Sequence, residues 1–142
     1  MHYKTPEYEK LANQITAETA VKIRKKHHLD PIGSGRSMMN DIEIMALSFN
    51  CHHSLTIEES RNLIVNCVGM YLDSINENFQ IRPYLHNFPF DSCNVDLTIF
   101  VYEDKKFKKV KPGKVSCISV LNGKISYHTK KSSRWLYLRC SS

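Results

Sequence analysis

The densest run of side chains with coordination or nucleophilic chemistry is Cys51-His52-His53. Neighbouring side chains on a strand point to opposite faces, so Cys51 and His53 share a face that His52 does not. Two ligands do not complete a zinc site, and a Cys-His dyad needs a further group that orients its base. The candidates for a third partner are His27, His28 and His86. Spacing does not place any of them, so we predict incidental histidines with no metal, no cofactor and no catalytic residue. A His/Cys-based enzyme stays as an alternative.

A stiff aromatic loop, residues 81–90, follows the second predicted helix. Pro83 and Pro89 are expected to hold the residues before them, Arg82 and Phe88, in extended conformations. The polar side chains that this loop can present to a ligand are Arg82, Tyr84, His86 and Asn87. The leading hypothesis is a small non-enzymatic binding or interaction protein that uses residues 82–90 for a protein partner. The competing interpretation is a structural crossover whose aromatics plug the open end of the sheet.

A glycine-containing segment, Gly33-Ser34-Gly35-Arg36-Ser37, follows the first predicted helix. It has an arginine but lacks the Gly-Lys-Ser/Thr of a phosphate-binding P-loop, and no strand is predicted before it. We therefore predict a helix C-cap and connector, with Arg36 as a candidate anion contact.

Lysines dominate the segment between the second and third predicted strands, residues 105–111. Nucleic-acid binders combine phosphate-neutralising cations with stacking aromatics, and this segment has one aromatic, Phe107. The candidate anion contacts are Lys105, Lys106, Lys108 and Lys109. Residues 1–90 carry 9 Lys/Arg against 10 Asp/Glu, and residues 91–142 carry 11 against 4, so the positive charge is concentrated in the last part. A solvated turn explains these lysines, and electrostatic binding of nucleic acid or anionic membrane is a further alternative.

Two amphipathic helices are predicted to position these segments. The first covers residues 6–28, with Thr5 as N-cap and Pro6 at the first helical position. The second covers residues 57–75 and begins with the Thr-x-x-Glu capping box of Thr56 and Glu59. Six apolar side chains lie on one face of the second helix, which is expected to be the centre of the core. They are Ile57, Ile64, Val68, Tyr71, Leu72 and Ile75.

Four segments have strand patterns, and a fifth is a candidate edge strand. Residues 42–50 and 95–102 alternate, and residues 115–121 are rich in β-branched side chains. Asn122-Gly123 predicts a type I′ hairpin that pairs Leu121 with Lys124 and brings a fourth strand against the third. Residues 135–138 are the candidate edge strand. The predicted class is α+β with two helices and an antiparallel meander, in the order α-β-α-β-β-β, with a cystatin-like wrapping of the sheet around the second helix.

Composition places the chain among single globular domains. Its 142 residues are 42% apolar, and no apolar run approaches the roughly 20 residues that span a bilayer. We predict one domain with its core in residues 5–128, and residues 129–142 are the least patterned part. The N-terminus lacks the apolar segment of a secretory signal, so a cytosolic location is expected. Five well-separated cysteines are then expected to be unpaired apolar residues in a reducing compartment.

Residues 11–102 resemble an uncharacterised family of small bacterial proteins found chiefly in bacteria that live inside host cells. The likeness rests on Ile32-Gly33-Ser34-Gly35 through Met38-Met39, on Ala46-Leu47-Ser48-Phe49, and above all on Ile75-Asn76 running into Ile81-Arg82-Pro83-Tyr84-Leu85-His86-Asn87 and Pro89-Phe90. The family has a run of glycines where this chain has Arg36-Ser37. Its members continue into an acidic C-terminal segment, so the resemblance implies that residues 130–142 are an altered or truncated end. It implies a common fold and supplies no activity.

Overall fold

A computed structural model shows the architecture and describes residues 7–38, 41–129 and 133–138. These residues form two α-helices, one short 3-10 helix and a six-stranded sheet. The helices are α1 (Glu7–His27) and α2 (Ile57–Asn76), and the 3-10 helix is Arg82–Tyr84. The strands are β1 (Asp30–Met38), β2 (Ile42–Cys51), β3 (Val95–Val101), β4 (Val115–Leu121), β5 (Lys124–Thr129) and β6 (Ser133–Tyr137).

The sheet is mixed, and its spatial order follows the chain from β1 to β6. β2 and β3 are parallel, and every other neighbouring pair is antiparallel. The α+β class with two helices is therefore confirmed. The predicted element order is wrong, because the chain reads α-β-β-α-β-β-β-β. The antiparallel meander is confirmed for β3 to β6, but the sheet as a whole is not antiparallel, because β2 pairs parallel to β3. A parallel pair needs a long crossover, and α2 with the loop behind it supplies that connection.

The first strand occupies the segment that the sequence predicts as a cap and connector. α1 ends at His27, and the chain turns at His28, which has a φ of 56° and donates its N–H to the Arg24 carbonyl oxygen at 2.9 Å. Gly33 and Gly35 then pair with Ser48 and Ala46 on β2. Residues 31–35 are exposed on an edge strand, so no buried alternation marks them as a strand. A Cβ at either glycine would meet nothing within 4 Å, so packing does not require them.

The capping box and the hairpin are confirmed in detail. Thr56 Oγ1 accepts the Glu59 N–H at 3.1 Å, and the Glu59 carboxylate accepts the Thr56 N–H at 3.0 Å. Asn122 and Gly123 both have positive φ, as a type I′ turn requires. Leu121 pairs with Lys124 as predicted. The proposed cap of α1, Thr5 with Pro6, lies outside the described residues.

The core lies between the sheet and the two helices, which share one face. α2 buries Ile64, Cys67, Val68, Tyr71 and Ile75. Alternate residues of β3 point at this layer and are buried, namely Val95, Leu97, Ile99 and Val101. Between the helices, the hydroxyls of Tyr71 and Thr16 are 2.7 Å apart. α2 is therefore central to the core, as its apolar stripe predicts.

The cysteines divide into two groups. Cys51 and Cys67 are free and buried, and Cys117 is free and half-buried, as expected for unpaired apolar residues. The expectation is wrong for Cys93, which is disulfide-bonded. Cys140 lies outside the described residues.

Neither described helix is both long and apolar enough to cross a membrane.

Candidate functional site

The parallel pair β2 and β3 gives the sheet two chemically different ends. We call the end where both strands begin the amino edge, and the end where both strands finish the carboxyl edge. At the amino edge the loop of residues 77–94 returns from α2, and its His86 N–H donates to the Ile42 carbonyl oxygen at 2.8 Å. At the carboxyl edge His52 and His53 follow β2, and the Tyr102 N–H donates to the Cys51 carbonyl oxygen at 2.8 Å. Both edges carry residues that the sequence marks as candidates.

Asparagine side chains fasten the amino-edge loop to the end of α2. The Asn76 amide donates to the Phe90 carbonyl oxygen at 3.0 Å and accepts the Phe90 N–H at 2.8 Å. Asn78 accepts the Ile81 N–H at 2.9 Å. A side chain that binds both backbone groups of one residue acts like a strand partner. The loop is therefore closed at its base by α2 itself.

A second amide pair crosses the middle of the loop. Asn87 and Asn94 each donate Nδ2–H to the other's Oδ1 at 2.9 Å. Asn94 also donates to the Glu43 carbonyl oxygen at 3.1 Å and accepts the Asp91 N–H at 3.0 Å. Asn87, a predicted ligand contact, thus uses its side-chain amide for hydrogen bonds within the loop. The structural interpretation of the loop describes this residue better than the binding one.

Arg82 is held between two aromatic rings. Its guanidinium carbon is 4.7 Å from the centre of the Phe79 ring and 4.2 Å from that of Phe88. One terminal nitrogen donates to the Asn76 carbonyl oxygen at 2.9 Å. The two rings remain largely in solvent, at 78% exposed for Phe79 and 50% for Phe88. We call Phe79, Arg82 and Phe88 the aromatic platform.

The predicted extended conformation before Pro83 is wrong. Arg82 begins the 3-10 helix Arg82–Tyr84, with Pro83 in its first turn. Proline fits the first turn of a helix because an N–H at that position would have no hydrogen-bond partner within the helix, so its absence removes no bond. Tyr84, another candidate of the loop, is 37% exposed, and its ring centre is 5.6 Å from that of Tyr8 at the start of α1. Tyr84 therefore extends the aromatic surface toward α1.

His86 has carboxylate neighbours at the start of β2. Its Nδ1 is 2.8 Å from an Asp41 carboxylate oxygen. The hydrogen bond to Asp41, with the charges of Asp41 and Glu43, raises the pKa of the His86 imidazole above its ordinary value. The ligand atoms of His86, Asp41 and Glu43 lie within 4.8 Å of one another, which makes these three the residues that could hold a metal ion in the described part of the chain. All three are at least partly exposed, and nothing further in the structure points to a metal.

The Cys51/His53 pair does not form a dyad. Cys51 is buried and its thiol donates to the His53 carbonyl oxygen at 3.4 Å, while the His53 side chain is exposed. Burial raises the pKa of the Cys51 thiol. A nucleophilic cysteine needs the opposite shift, because the thiolate is the reactive form. Cys51 is therefore a core residue, and the enzyme alternative gains no nucleophile from it.

His52 is fixed by polar contacts on both ring nitrogens. Nε2 is 3.0 Å from an Asp30 carboxylate oxygen, and Nδ1 is 3.1 Å from the Asp104 carbonyl oxygen. The imidazole also packs edge-on against the Phe107 ring, with ring centres 5.3 Å apart. The ring centres of Tyr102 and Phe107 are 5.0 Å apart. His52 thus links β1, the end of β2 and the basic loop.

These contacts border a cavity of about 310 Å³ at the carboxyl edge. Its lining residues are Arg24, His28, Asp30, His52, His53 and Lys105. Of the three histidines that spacing could not place, His28 lines this cavity with His52 and His53, but these three do not form a group of metal-ligand atoms within the described residues. His27 instead contacts the Asn66 side-chain oxygen at 2.7 Å, and His86 lies at the amino edge. Five of the six lining side chains are basic.

The basic loop winds around one carboxylate. The Asp104 side chain accepts the backbone N–H groups of Lys106 at 2.9 Å and Lys108 at 3.2 Å. The side chains of Lys105, Lys106, Lys108 and Lys109 are exposed, and Lys105 reaches the cavity. Arg36 lies on β1, and its side chain is outside the described part of the chain. The predicted anion contacts are thus divided, with one lysine at a concave site and three on an open turn.

Sequence reasoning missed the groups that join these candidates. Asp41 and Asn94 carry no distinctive pattern, and Arg24 looks like one of several cations that suit a helix C-terminus. Only the spacing of Asn76 and Asn78 before the loop gives a signal, as a helix end. Comparisons with protein-family models, curated proteins and solved structures find no match. The function therefore has to be argued from the two edges.

Proposed function

We propose that the protein is a non-enzymatic interaction module that binds a protein partner through the aromatic platform. The single observation that supports this is the guanidinium of Arg82 stacked between two exposed rings, Phe79 and Phe88. Arginine and aromatic side chains are enriched among the residues that dominate the energetics of protein interfaces. Aromatic rings bring large apolar area, and the planar guanidinium of arginine brings several donors and stacks on such rings.

The platform is ordered before any partner arrives. Asn76 fastens the end of the loop, and the Asn87–Asn94 pair braces its middle. Binding to a surface that is already ordered costs less conformational entropy than folding a flexible loop around a partner. The internal use of Asn87 thus supports the proposal indirectly, because it holds the neighbouring Phe88 in place. Tyr84, at the same edge, widens the apolar area.

Photocrosslinking tests this proposal directly. Benzoylphenylalanine replaces Phe79 in the full-length chain, and a matched probe replaces Phe107, which is also exposed, at 53%, but lies at the carboxyl edge. In lysate of the cells that make the protein, we expect one defined adduct from position 79 and none of that mass from position 107. Excess wild-type protein should suppress the adduct, and excess Phe79→Ser/Phe88→Ser protein should not.

Two results would remove the platform from consideration. One is the same adducts from both positions, which would show non-specific capture of exposed aromatics. The other is equal suppression by wild type and by the double variant. Circular dichroism of the double variant controls for folding, and both replaced rings are exposed, so the fold is expected to survive.

Three expectations from the sequence accompany this proposal as predictions. They are membership of the small bacterial family, a cystatin-like arrangement of the sheet, and a cytosolic location. The platform argument depends on none of them. A disulfide at Cys93 argues against a reducing compartment. Alkylation of the denatured, unreduced protein followed by peptide mass spectrometry tests whether Cys93 is disulfide-bonded.

A further inference from the structure

We propose that the cavity at the carboxyl edge binds a phosphomonoester, a small molecule that ends in one phosphate group. The cavity lies where the parallel strands β2 and β3 end, and its lining comes from segments that converge there: the end of α1, the start of β1 and the loops after β2 and β3. Open α/β sheets bind ligands at the same end of their parallel strands. The cavity volume of about 310 Å³ is at the small end of the range for ligand sites. A bare phosphate would leave much of that volume to water, so the ligand also has an organic part.

Two permanent cations line this cavity without internal partners. Arg24 comes from the last turn of α1 and Lys105 from the loop after β3. Within residues 7–38, 41–129 and 133–138, neither side chain makes a hydrogen bond or an ion pair. Both side chains are exposed. At the other edge, by contrast, a terminal nitrogen of Arg82 donates to the Asn76 carbonyl oxygen within the fold, although its buried Nε has no hydrogen-bond partner among the described residues.

The one acid in the cavity is directed at a histidine. A carbonyl oxygen only accepts hydrogen bonds, so the contact with the Asp104 carbonyl places a proton on His52 Nδ1. The other ring nitrogen, Nε2, is 3.0 Å from the Asp30 carboxylate. Asp30 therefore contacts His52, and neither Arg24 nor Lys105 forms an ion pair with it within the described residues. The two cations of the cavity thus have no carboxylate partner of their own.

Those two charges match a phosphomonoester. Its phosphate carries about −1.5 to −2 charges at neutral pH and offers three acceptor oxygens. Arg24 can meet two of these oxygens with its planar fork, and Lys105 can act as a compact point charge. The exposed imidazoles of His28 and His53 add donors from two further segments. A monocarboxylate would leave one of the cations unmatched.

A larger groove elsewhere on the protein is less suited to an anionic ligand. It has a volume of about 450 Å³ and runs along the exposed side of α2. Lys26 and Arg61 line it together with Asp73, and amides and apolar side chains cover the rest. Within the described residues no side-chain contact directs Asp73 away from these two cations, whereas Asp30 contacts His52, so the carboxyl-edge cavity is the stronger anion site.

Calorimetric titration of the full-length protein at low ionic strength tests the proposal. The probes are inorganic phosphate, glycerol 3-phosphate and adenosine monophosphate, and the last two separate a small phosphate ester from a nucleotide. We expect one of the two monoesters to bind with 1:1 stoichiometry and more tightly than inorganic phosphate. In Arg24→Ala/Lys105→Ala its affinity should fall about tenfold or more, because two charge-assisted contacts are lost.

A charge-matched variant provides the control. Lys25→Ala/Lys106→Ala removes the same two charges from adjacent, exposed positions that do not line the cavity, so its affinity should change less than about threefold. Equal losses in both double variants would overturn the site. So would failure of both monoesters to bind, or binding no tighter than that of inorganic phosphate. A single-stranded oligonucleotide that binds more tightly than either monoester, and weakens equally in both variants, would assign the charge to a nucleic-acid surface instead.

Discussion

The amino and carboxyl edges of the β2/β3 pair differ in how their polar groups are used. At the amino edge Asn76, Asn87 and Asn94 bind backbone or one another. Arg82 contacts two rings and donates one hydrogen bond there, and its buried Nε has no partner among the described residues. At the carboxyl edge the cations Arg24 and Lys105 face a cavity. Polar groups that are satisfied internally stabilise a conformation, whereas charges that face a concave surface are free to meet a ligand. At the amino edge these groups brace the loop that carries the aromatic platform, and at the carboxyl edge they line the cavity for which we propose a small anion.

The same comparison separates two kinds of candidate surface within one small domain. The amino edge offers an outward-facing aromatic platform on a braced loop, which suits a macromolecular partner. The carboxyl edge offers a concave, cationic site, which suits a small ligand. Substitutions at the two edges should therefore change different measured quantities.

The largest expected effect is on stability at the amino edge. Asn94→Ala removes the bridge that joins Asn87, the Asp91 N–H and the Glu43 carbonyl oxygen. We expect it to lower the free energy of unfolding by about 2 kcal/mol, since several part-buried groups lose their partner. Urea denaturation followed by circular dichroism measures this change.

Arg24→Ala/Lys105→Ala is the matched variant at the carboxyl edge. Both side chains are exposed and make no hydrogen bond within the described residues, so the free energy of unfolding should stay within about 0.5 kcal/mol of wild type. If the carboxyl-edge variant lost as much stability as Asn94→Ala, the division of roles between the edges would be wrong.

The start of α2 and the β4/β5 hairpin were predictable because local chemistry determines them. Thr56 and Glu59 cap α2 through contacts within one turn, and Asn122-Gly123 determines the β4/β5 register through its own backbone preferences. β1 was not predictable, since Gly33 and Gly35 form an exposed edge strand whose pairing with β2 depends on the rest of the sheet. The parallel β2/β3 pair also requires a non-local choice that no short pattern contains.

The sites were predictable only in part for the same reason. The sequence marks His53 and Lys105, offers His28 as a possible third partner and sets His52 aside. Only the parallel pairing brings the ends of β2 and β3 together with His28 and Arg24. At the amino edge the sequence marks Arg82 and His86. It does not show that Phe79 stacks on the arginine, because an exposed phenylalanine three residues earlier carries no pattern of its own.

A smaller effect is expected in the coupling within the platform. The guanidinium of Arg82 and the ring of Phe79 are 4.7 Å apart, and a partly exposed cation–π pair contributes about 0.5 to 1 kcal/mol. A double-mutant cycle with Arg82→Ala and Phe79→Leu should give a coupling free energy of that size in urea denaturation. Arg61→Ala, an exposed substitution on α2, should be additive with Phe79→Leu. A coupling free energy of zero for Arg82 and Phe79 would mean that the platform is not ordered.

The smallest effect concerns the titration of His86. The hydrogen bond and the charge of Asp41, with a lesser contribution from Glu43, raise the pKa of His86 in the folded protein above the ordinary 6.5. Stabilisation by this contact is therefore fully present below the pKa of the unfolded chain and is lost as the pH rises through the folded pKa. Histidine ring resonances followed by NMR should show a raised pKa that returns toward the ordinary value in Asp41→Asn.

Glu43→Gln is the graded control, and it should lower the His86 pKa by less than Asp41→Asn does, because Glu43 acts only through its charge. The difference in unfolding free energy between wild type and Asp41→Asn should narrow as the pH rises through the folded pKa. A His86 that titrates at its ordinary value in both proteins would contradict the contact at 2.8 Å. Because the pair is exposed, such a result would leave the rest of the amino edge intact, and the asparagine network would remain its structural basis.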